Sequence, residues 1–244
     1  ARAGGDVTFI GCVGNDSMGK ESLEGLAEEG INVSHVKVSE DKPSGIALIN
    51  VSESGENSIT VASGANGDIF PADVLALEDI IASAEIILLQ HEIPFETVRE
   101  VILMAQSFGV KVILNPAPAA SVPKELLSMI YLLTPNEHEA ALIAGMSSET
   151  DPSILADKLL EMGSKQVIIT IGSKGALFAD GEHKEVVETI TVKAVDSTAA
   201  GDTFNGYLAV ALARGDSMIN AINLANKAAS VSVTRMGAQA SVPT

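Results

Sequence analysis

Short apolar runs alternate with helical patterns along almost the whole chain, and this alternation constrains the fold more than any other feature. Runs such as EIILLQ at residues 85–90 and QVIITI at residues 166–171 are mostly apolar and shorter than typical helices. Strands of this type, separated by helices, are typical of a parallel sheet that is covered on both faces. We therefore predict an α/β protein with three layers, α/β/α, and a mainly parallel central sheet.

The same periodicity gives approximate bounds for each element of this fold. The predicted strands are residues 7–13, 85–90, 111–115, 130–134 and 166–171, with antiparallel strands within 176–191. The predicted helices are residues 19–29, 72–84, 95–108, 137–144, 153–162, 201–213 and 218–233.

One segment near the start of the chain breaks the rhythm of strand and helix. Residues 44–51 and 57–62 have a strand pattern and flank the Gly-containing sequence SESGE, which predicts a β-hairpin. We interpret residues 33–62 as a small β lid inserted into a core formed by residues 1–32 and 63–244. We expect this lid to cover a ligand or to contact a second copy of the chain.

Composition excludes several classes of partner. The chain has 15 Lys and Arg against 32 Asp and Glu, a net charge of −17, which repels nucleic acids and anionic membranes. No apolar run is long enough for a membrane span, and no signal-peptide pattern is visible. The single cysteine, Cys12, suits a buried strand position and a reducing compartment. We expect a cytoplasmic protein without nucleic-acid or membrane partners.

The segment DSTAAGDTF at residues 196–204 contains the pattern with the most specific chemistry. Ala199, Ala200 and Gly201 are small, and their N–H groups lie at a helix start, where the backbone favours an anion. Asp202 follows in the first helical turn, so one segment supplies a clamp for phosphate and a carboxylate that accepts a hydroxyl proton. From these residues alone, an Asp that caps an ordinary helix is an equally good interpretation.

Five segments in the same order resemble the motifs of the ribokinase family of carbohydrate kinases. They are NPAPA at 115–119, LTPNEHE at 133–139, TIGSKG at 170–175, DSTAAGDTFNG at 196–206 and RMGAQASVP at 235–243. Each motif is moderately specific, whereas the ordered set is strongly so. The resemblance covers residues 5–244.

The resemblance implies ATP-dependent phosphorylation of a sugar at a primary hydroxyl, with D-ribose giving ribose 5-phosphate. It assigns Asp202 as the catalytic base that also binds the sugar, and residues 199–201 as the anion hole for the γ-phosphoryl group. Glu92 matches an acidic residue near the sugar. His91 stands where the family more often has an apolar residue, which leaves the identity of the sugar open.

The resemblance also implies sites for ATP and Mg²⁺. Asn136 and Glu139 match residues that organise phosphate and Mg²⁺, often through water. The sequence equally predicts that these two residues form a capping box on the helix 137–144. The other residues matched to the nucleotide site are Thr170, Gly172, Ser173, Gly175, Gly201 and Asn226.

A monovalent cation, typically K⁺, activates enzymes of this family. We expect it to hold the loop beside the anion hole in shape, without contacting ATP. The residues that match its cage are Asp196, Thr198, Ser232, Arg235, Gly237 and Ser241. Because most of them contribute backbone carbonyls, their side-chain identities test the match weakly.

Several alternatives remain open from the sequence. The substrate could instead be deoxyribose, fructose or a nucleoside, or the chain could be a non-catalytic nucleotide-binding fragment or homologue. A dehydrogenase is disfavoured, because Gly11, Gly14 and Gly19 do not have dinucleotide-loop spacing. The family's sugar-binding Asp and its G-G-K-G-x-N motif are not found, so we expect an N-terminally truncated chain without the first central strand. We also expect a homodimer formed through the lid.

Overall fold

The computed structural model describes residues 1–51 and 57–244. Its strands are β1 (Thr8–Gly14), β2 (Asn32–Ser39), β3 (Ile46–Val51), β4 (Asn57–Ala62), β5 (Ile86–Leu89), β6 (Lys111–Leu114), β7 (Leu132–Leu133), β8 (Gln166–Thr170), β9 (Ala176–Asp180) and β10 (Lys184–Val187). Its helices are α1 (Ser17–Glu28), α2 (Pro71–Leu75), α3 (Glu78–Ser83), α4 (Phe95–Phe108), α5 (Lys124–Leu127), α6 (Glu137–Ala144), α7 (Pro152–Glu161), α8 (Ala200–Ala213) and α9 (Met218–Ser232).

The central sheet has six strands in the order β10-β9-β8-β7-β6-β5. Strands β5 to β8 run parallel, β9 is antiparallel to β8, and β10 is antiparallel to β9. The prediction of a mainly parallel sheet that ends in antiparallel strands is therefore confirmed. Because β5 to β8 are parallel, their carboxyl ends meet at one edge, which is where open α/β sheets bind ligands.

Alternating side chains of the central strands pack into two separate cores, one on each face of the sheet. Ile113, Leu132 and Ile168 face α8 and α9, where they pack with residues such as Phe204 and Leu208. The intervening strand residues, Val112, Leu114, Leu133, Val167 and Ile169, face α4, α6 and α7. Burying each such aliphatic side chain contributes about 1.5–3 kcal/mol, which holds both helical layers on the sheet. The predicted three-layer α/β/α arrangement is confirmed.

Three predicted elements differ from the structure. The single helix predicted at 72–84 is two short helices, α2 and α3, because Leu77 leaves the helical conformation at φ −112° and ψ 26°. The strand predicted at 130–134 shortens to β7, since Ile130 still donates its N–H to Leu126 in the turn after α5. The buried strand predicted at 7–13 is β1, which pairs with β2 in a separate sheet and leaves Phe9 44% exposed.

The strands of the predicted hairpin are present. Strands β3 and β4 pair antiparallel from Ile46↔Ala62 to Val51↔Asn57, outside the central sheet. The predicted turn at residues 52–56 lies outside the described residues. The division into a core and a lid stays a prediction, and its boundary at residue 33 falls within β2.

The structure bears on two expectations from composition, the burial of Cys12 and the absence of a membrane-spanning segment. Cys12 is a free thiol that is 5% exposed, in a core formed with residues such as Ile69 and Val101, as its strand pattern predicts. Within residues 1–51 and 57–244, no helix combines the length and the hydrophobicity that crossing a bilayer requires.

Gly175 closes the turn between β8 and β9 in a conformation that other residues rarely adopt. Its φ is +103°, and a Cβ atom there would lie 2.2 Å from the carbonyl oxygen of Val187. We predict that Gly175→Ala lowers the free energy of unfolding by about 2–4 kcal/mol, through steric overlap and backbone strain. Urea unfolding followed by circular dichroism measures this loss.

Gly172→Ala in the same turn is the matched control. Gly172 also has a positive φ, +58°, but a Cβ atom there would meet nothing within 4 Å. We expect it to cost only about 1–2 kcal/mol, the strain of a left-handed residue alone. Equal losses in the two variants would contradict the steric explanation.

Candidate active site

The start of α8 forms the centre of the candidate site. Ala199 is the N-cap residue and adopts a left-handed conformation, φ +58° and ψ 16°, which turns the chain sharply into the helix. The N–H of Ala200 donates to the carbonyl of Ser197 at 3.2 Å, whereas the N–H of Gly201 has no hydrogen-bond acceptor among the described residues. At a helix start such an amide lies at the positive end of the backbone dipoles and favours an anion.

Asp202 lies in the first turn of α8 and keeps part of its surface open to solvent. The side-chain amide of Gln90, the residue after β5, donates to Asp202 Oδ1 at 3.1 Å. Burial by the surrounding protein raises the pKa of Asp202, and the hydrogen bond from Gln90 opposes that rise. Such a carboxylate is a stronger proton acceptor than a fully solvated Asp.

Two further carboxylates share the electrostatic environment of Asp202. Burial raises the pKa of Glu92, and the charge of Asp202 adds to the effect. Burial also raises the pKa of Glu139, with a smaller contribution from Asp202. The structure therefore brings together the predicted base, the predicted sugar-site residue and the predicted phosphate-site residue, from α8, the loop after β5, and α6 respectively.

Asn136 and Glu139 form the capping box that the sequence predicts. Asn136 Oδ1 accepts the N–H of Glu139, and Glu139 Oε2 accepts the N–H of Asn136, both at 2.8 Å. Glu139 is only 6% exposed, so this pair fixes its carboxylate at the start of α6. A role in organising phosphate and Mg²⁺ is compatible with this geometry and stays a prediction.

The predicted nucleotide loop lies beside that capping box. The N–H of Thr170 donates to the carbonyl of Pro135 at 3.0 Å, and Thr170 bridges Asn136 in the manner of parallel strands. Gly172 and Ser173 then form an exposed turn. This turn is accessible to a ligand. Gly175, in contrast, is required for a structural reason, because a Cβ atom there would overlap the carbonyl oxygen of Val187.

The predicted nucleotide residue Asn226 has a structural role. It is 5% exposed, and its side-chain amide donates to the carbonyl of Val187 at 2.9 Å. Its own carbonyl accepts the hydroxyl of Thr189 at 3.2 Å. Asn226 thus joins α9 to the segment that follows β10, and its contact with a nucleotide stays a prediction.

The residues predicted for the K⁺ cage form two hydrogen-bonded groups. One contains Asp196, Thr198 and Gly237, and the other contains Ser232, Arg235 and Ser241. Asp196 accepts hydrogen bonds from the N–H groups of Thr198 and Gly237, each at 2.9 Å. These bonds lower the pKa of Asp196, with the larger effect from Thr198. Arg235 donates its N–H to the carbonyl of Ser232 at 3.0 Å and its side chain to the carbonyl of Ser241 at 3.4 Å. In the described part of the chain, no cluster of three or more His, Cys, Asp or Glu could hold a metal ion.

Two surface cavities lie apart from Asp202. One, of about 310 Å³, is lined in part by His91, whose ring meets Phe95 edge-on at 6.1 Å between centroids. Burial lowers the pKa of His91, and the nearby backbone of Pro118 only partly opposes this effect, so the ring is mainly neutral at pH 7. The other cavity, about 370 Å³, lies at the amino ends of β5 and β6, away from the carboxyl edge.

Sequence reasoning missed the polar residues that support Asp202. Gln90, Asn115 and Thr134 each follow a parallel strand directly, and they hydrogen-bond among themselves or with α8. The available signal was their position, because the first polar residue after each strand faces the carboxyl edge of the sheet.

The sequence matches the profile described as pfkB family carbohydrate kinase over residues 1–244. It is 42% identical over 246 residues to a ribokinase of Schizosaccharomyces pombe, covering 97% of this chain and 76% of that protein. It is 41% identical over 246 residues to a ribokinase of Haemophilus influenzae, covering 100% and 80%. The structure of Arabidopsis thaliana ribokinase complexed with ribose and ATP is 34% identical with a TM-score of 0.87, covering 98% and 79%. The chain therefore has the fold of this ribokinase structure.

The two interpretations of Asn226 differ in what they predict for stability. We expect Asn226→Ala to lower the free energy of unfolding by about 1–3 kcal/mol, because it leaves the carbonyl of Val187 buried without its donor. Asn223→Ala, on an exposed turn of the same helix, is the control and should cost less than about 1 kcal/mol. Thermal unfolding without nucleotide makes the comparison, and equal stability of both variants would contradict the structural role.

Proposed function

Because the chain belongs to the pfkB family of carbohydrate kinases, we propose that it transfers the γ-phosphoryl group of ATP to the 5-hydroxyl of D-ribose. The products are ribose 5-phosphate and ADP. Similarity to ribokinases, including the Arabidopsis protein complexed with ribose and ATP, supports this substrate pair. The observation that carries the proposal is the position of Asp202 in the first turn of α8, beside the amide of Gly201, which has no acceptor in the described part of the chain.

Asp202 acts as the general base in this reaction. The sugar hydroxyl oxygen forms a bond to the γ-phosphorus while the bond from phosphorus to the ADP oxygen breaks, and the hydroxyl proton passes to the carboxylate. The raised pKa of Asp202 makes its carboxylate a stronger proton acceptor. Glu92, whose pKa also responds to Asp202, supplies a second acceptor for the sugar hydroxyls.

The backbone at the start of α8 serves as the anion hole. The amides of residues 199–201 are fixed by the N-cap conformation of Ala199 before any ligand binds. Charge that develops on the transferring phosphoryl oxygens therefore meets preoriented dipoles, and no reorganisation is needed at that moment. The N–H of Gly201, which has no acceptor among the described residues, is available to contribute directly.

Asn136 and Glu139 are the residues that would organise Mg²⁺ on the phosphates of ATP. The acceptor oxygens of a buried carboxylate suit Mg²⁺ and its water shell. The charge of Asp202 contributes to the raised pKa of Glu139, so a nearby cation would offset this repulsion. When bound, the ion neutralises phosphate charge, and the capping box keeps Glu139 in place for it.

The loop around Asp196 would hold K⁺ through backbone carbonyls and hydroxyl oxygens. Asp196 already joins this loop to the C-terminal turn by accepting the N–H of Gly237. Thr198, Ser232 and Ser241 are buried, so their oxygens would have to replace waters of the hydration shell of the ion. A cation there would stabilise the loop that leads into the anion hole.

Asp202→Asn should lower turnover by at least ~10²-fold while ATP binding is retained, because Asn cannot accept the proton. ADP release from MgATP is measured with ribose, deoxyribose and fructose, each with and without K⁺, and ATP binding by calorimetry. The control is Asp216→Asn, an exposed Asp beyond the end of α8. Near-normal turnover of Asp202→Asn would refute the base assignment, and a preference for another sugar would replace ribose.

We propose that the predicted lid closes over the sugar and that two lids pair in a homodimer. Strands β3 and β4 lie outside the central sheet and expose apolar side chains, with Leu48 65% and Ile46 41% exposed on one face and Val61 54% exposed on the other. A two-stranded sheet with an apolar face is marginal alone and is stabilised by covering that face.

Light scattering at micromolar concentration tests this pairing. We expect the mass of a dimer for the unmodified chain and that of a monomer for Leu48→Glu, because the charge would be buried in the pair. Leu224→Glu, at a 38% exposed position on α9, is the control and should remain dimeric. A monomeric unmodified chain would exclude the homodimer.

A further inference from the structure

We infer that Gln90 is a positioning residue for Asp202, which selects the carboxylate oxygen that receives the substrate proton. The inference rests on the proposed function, because it assumes that Asp202 is the base. Gln90 follows β5 directly, and its side-chain amide donates to Asp202 Oδ1 at 3.1 Å across 112 residues of sequence. Among the described residues, no other side chain forms a hydrogen bond with Asp202.

The orientation of Gln90 is itself fixed by Asn115, the residue after β6. The same nitrogen of Gln90 lies 3.4 Å from Asn115 Oδ1, which is the second acceptor in reach. Asn115 is 8% exposed and donates its own amide to the carbonyl of Thr134 at 2.9 Å. Because its nitrogen is committed to Thr134, Asn115 must present its oxygen to Gln90, and Gln90 must present its nitrogen to Asp202.

The chain of hydrogen bonds continues back to the same helix. The hydroxyl of Thr134 donates to Asn205 Oδ1 at 2.7 Å, and Asn205 donates its amide to the carbonyl of Gly201 at 2.9 Å. Thr134 and Asn205 are 1% and 3% exposed. The network thus starts at Gly201 and ends at its neighbour Asp202, with every donor assigned, and it ties the first turn of α8 to the ends of three adjacent parallel strands.

This geometry gives Gln90 an effect on the reaction without a chemical step of its own. A neutral amide neither takes nor supplies a proton, so Gln90 cannot replace the base. With Oδ1 occupied by Gln90, Oδ2 is left to accept the sugar hydroxyl. Fixing one oxygen restricts the carboxylate to a single orientation, and small misplacements of a reacting group lower rates strongly.

Few other ionisable groups face Asp202. Glu92, in the loop after β5, and Glu139, on α6, have pKa values that its charge raises. His138 acts on Glu139. Strand β5 has no ionisable side chain, and Lys227 is the ionisable side chain of α9, the helix packed against α8. The bond from Gln90 is the stabilising contact on the charged form of Asp202, so its loss raises the pKa of the base further.

Steady-state kinetics of Gln90→Met and Gln90→Asn with MgATP and ribose tests the inference. Met keeps the length without a donor, and Asn keeps the amide but falls short of Asp202. We expect kcat to fall about 10-fold in both variants, with KM for ATP and ribose unchanged within about twofold. The acid limb of kcat/KM should move to higher pH by about 0.5–1 unit, because a base of higher pKa is protonated sooner as pH falls.

The double variants separate positioning from a merely structural role. In the Asp202→Asn background, loss of Gln90 should change the residual rate less than about twofold, since the residue acts through the base. Gln106→Met, an exposed glutamine on α4, is the matched control and should leave kinetics unchanged. Unaltered kcat and acid limb in both Gln90 variants, or an equal loss with and without Asp202, would overturn the inference. If Asp202→Asn alone retains activity, the proposed base is wrong, and that variant by itself reveals it.

Discussion

Docking of the first turn of α8 against the carboxyl ends of β5, β6 and β7 is the constraint on which the candidate site depends. Parallel strands place the residues that follow them at one edge, and each of these three strands is followed there by a polar residue. Those residues bind each other and α8 through directed hydrogen bonds, and the two that involve Thr134 are buried. A carboxylate that belongs to a helix is thereby held by the sheet, so apolar packing and the geometry of the site reinforce one another.

Local patterns predicted much of the fold. The bounds of α4 and α6 agree with the sequence because Gly109 and Gly145 end these helices in left-handed conformations, and such stop signals are visible in a sequence. The division of residues 72–84 into α2 and α3 was not predictable, since the break at Leu77 has neither Gly nor Pro. The sheet to which β1 belongs depends on its pairing partner, β2, and an apolar run does not identify the strand with which it pairs.

The candidate site was predictable only where its residues are contiguous. Asp202 and the residues proposed for the anion hole lie in one segment whose residue types indicate that chemistry. The capping box of Asn136 and Glu139 has its usual spacing. The contact of Gln90 with Asp202 spans 112 residues and follows from the order of strands in the sheet. The net charge has the same limit as a predictor. A net charge of −17 disfavours polyanions as partners, but it does not show where a helix start favours an anion.

The long sequence separations in this network have a consequence for folding. The bond between Thr134 and Asn205 spans 71 residues, so it forms only after β7 and the helical layer of α8 have come together. Contacts of that kind carry a large loop-closure entropy and are made late. A partly folded chain would therefore have helices and hydrophobic clusters but no assembled catalytic centre. A nucleotide that binds only the completed site would draw the folding equilibrium toward the native state by mass action, and its occupancy would report on global folding.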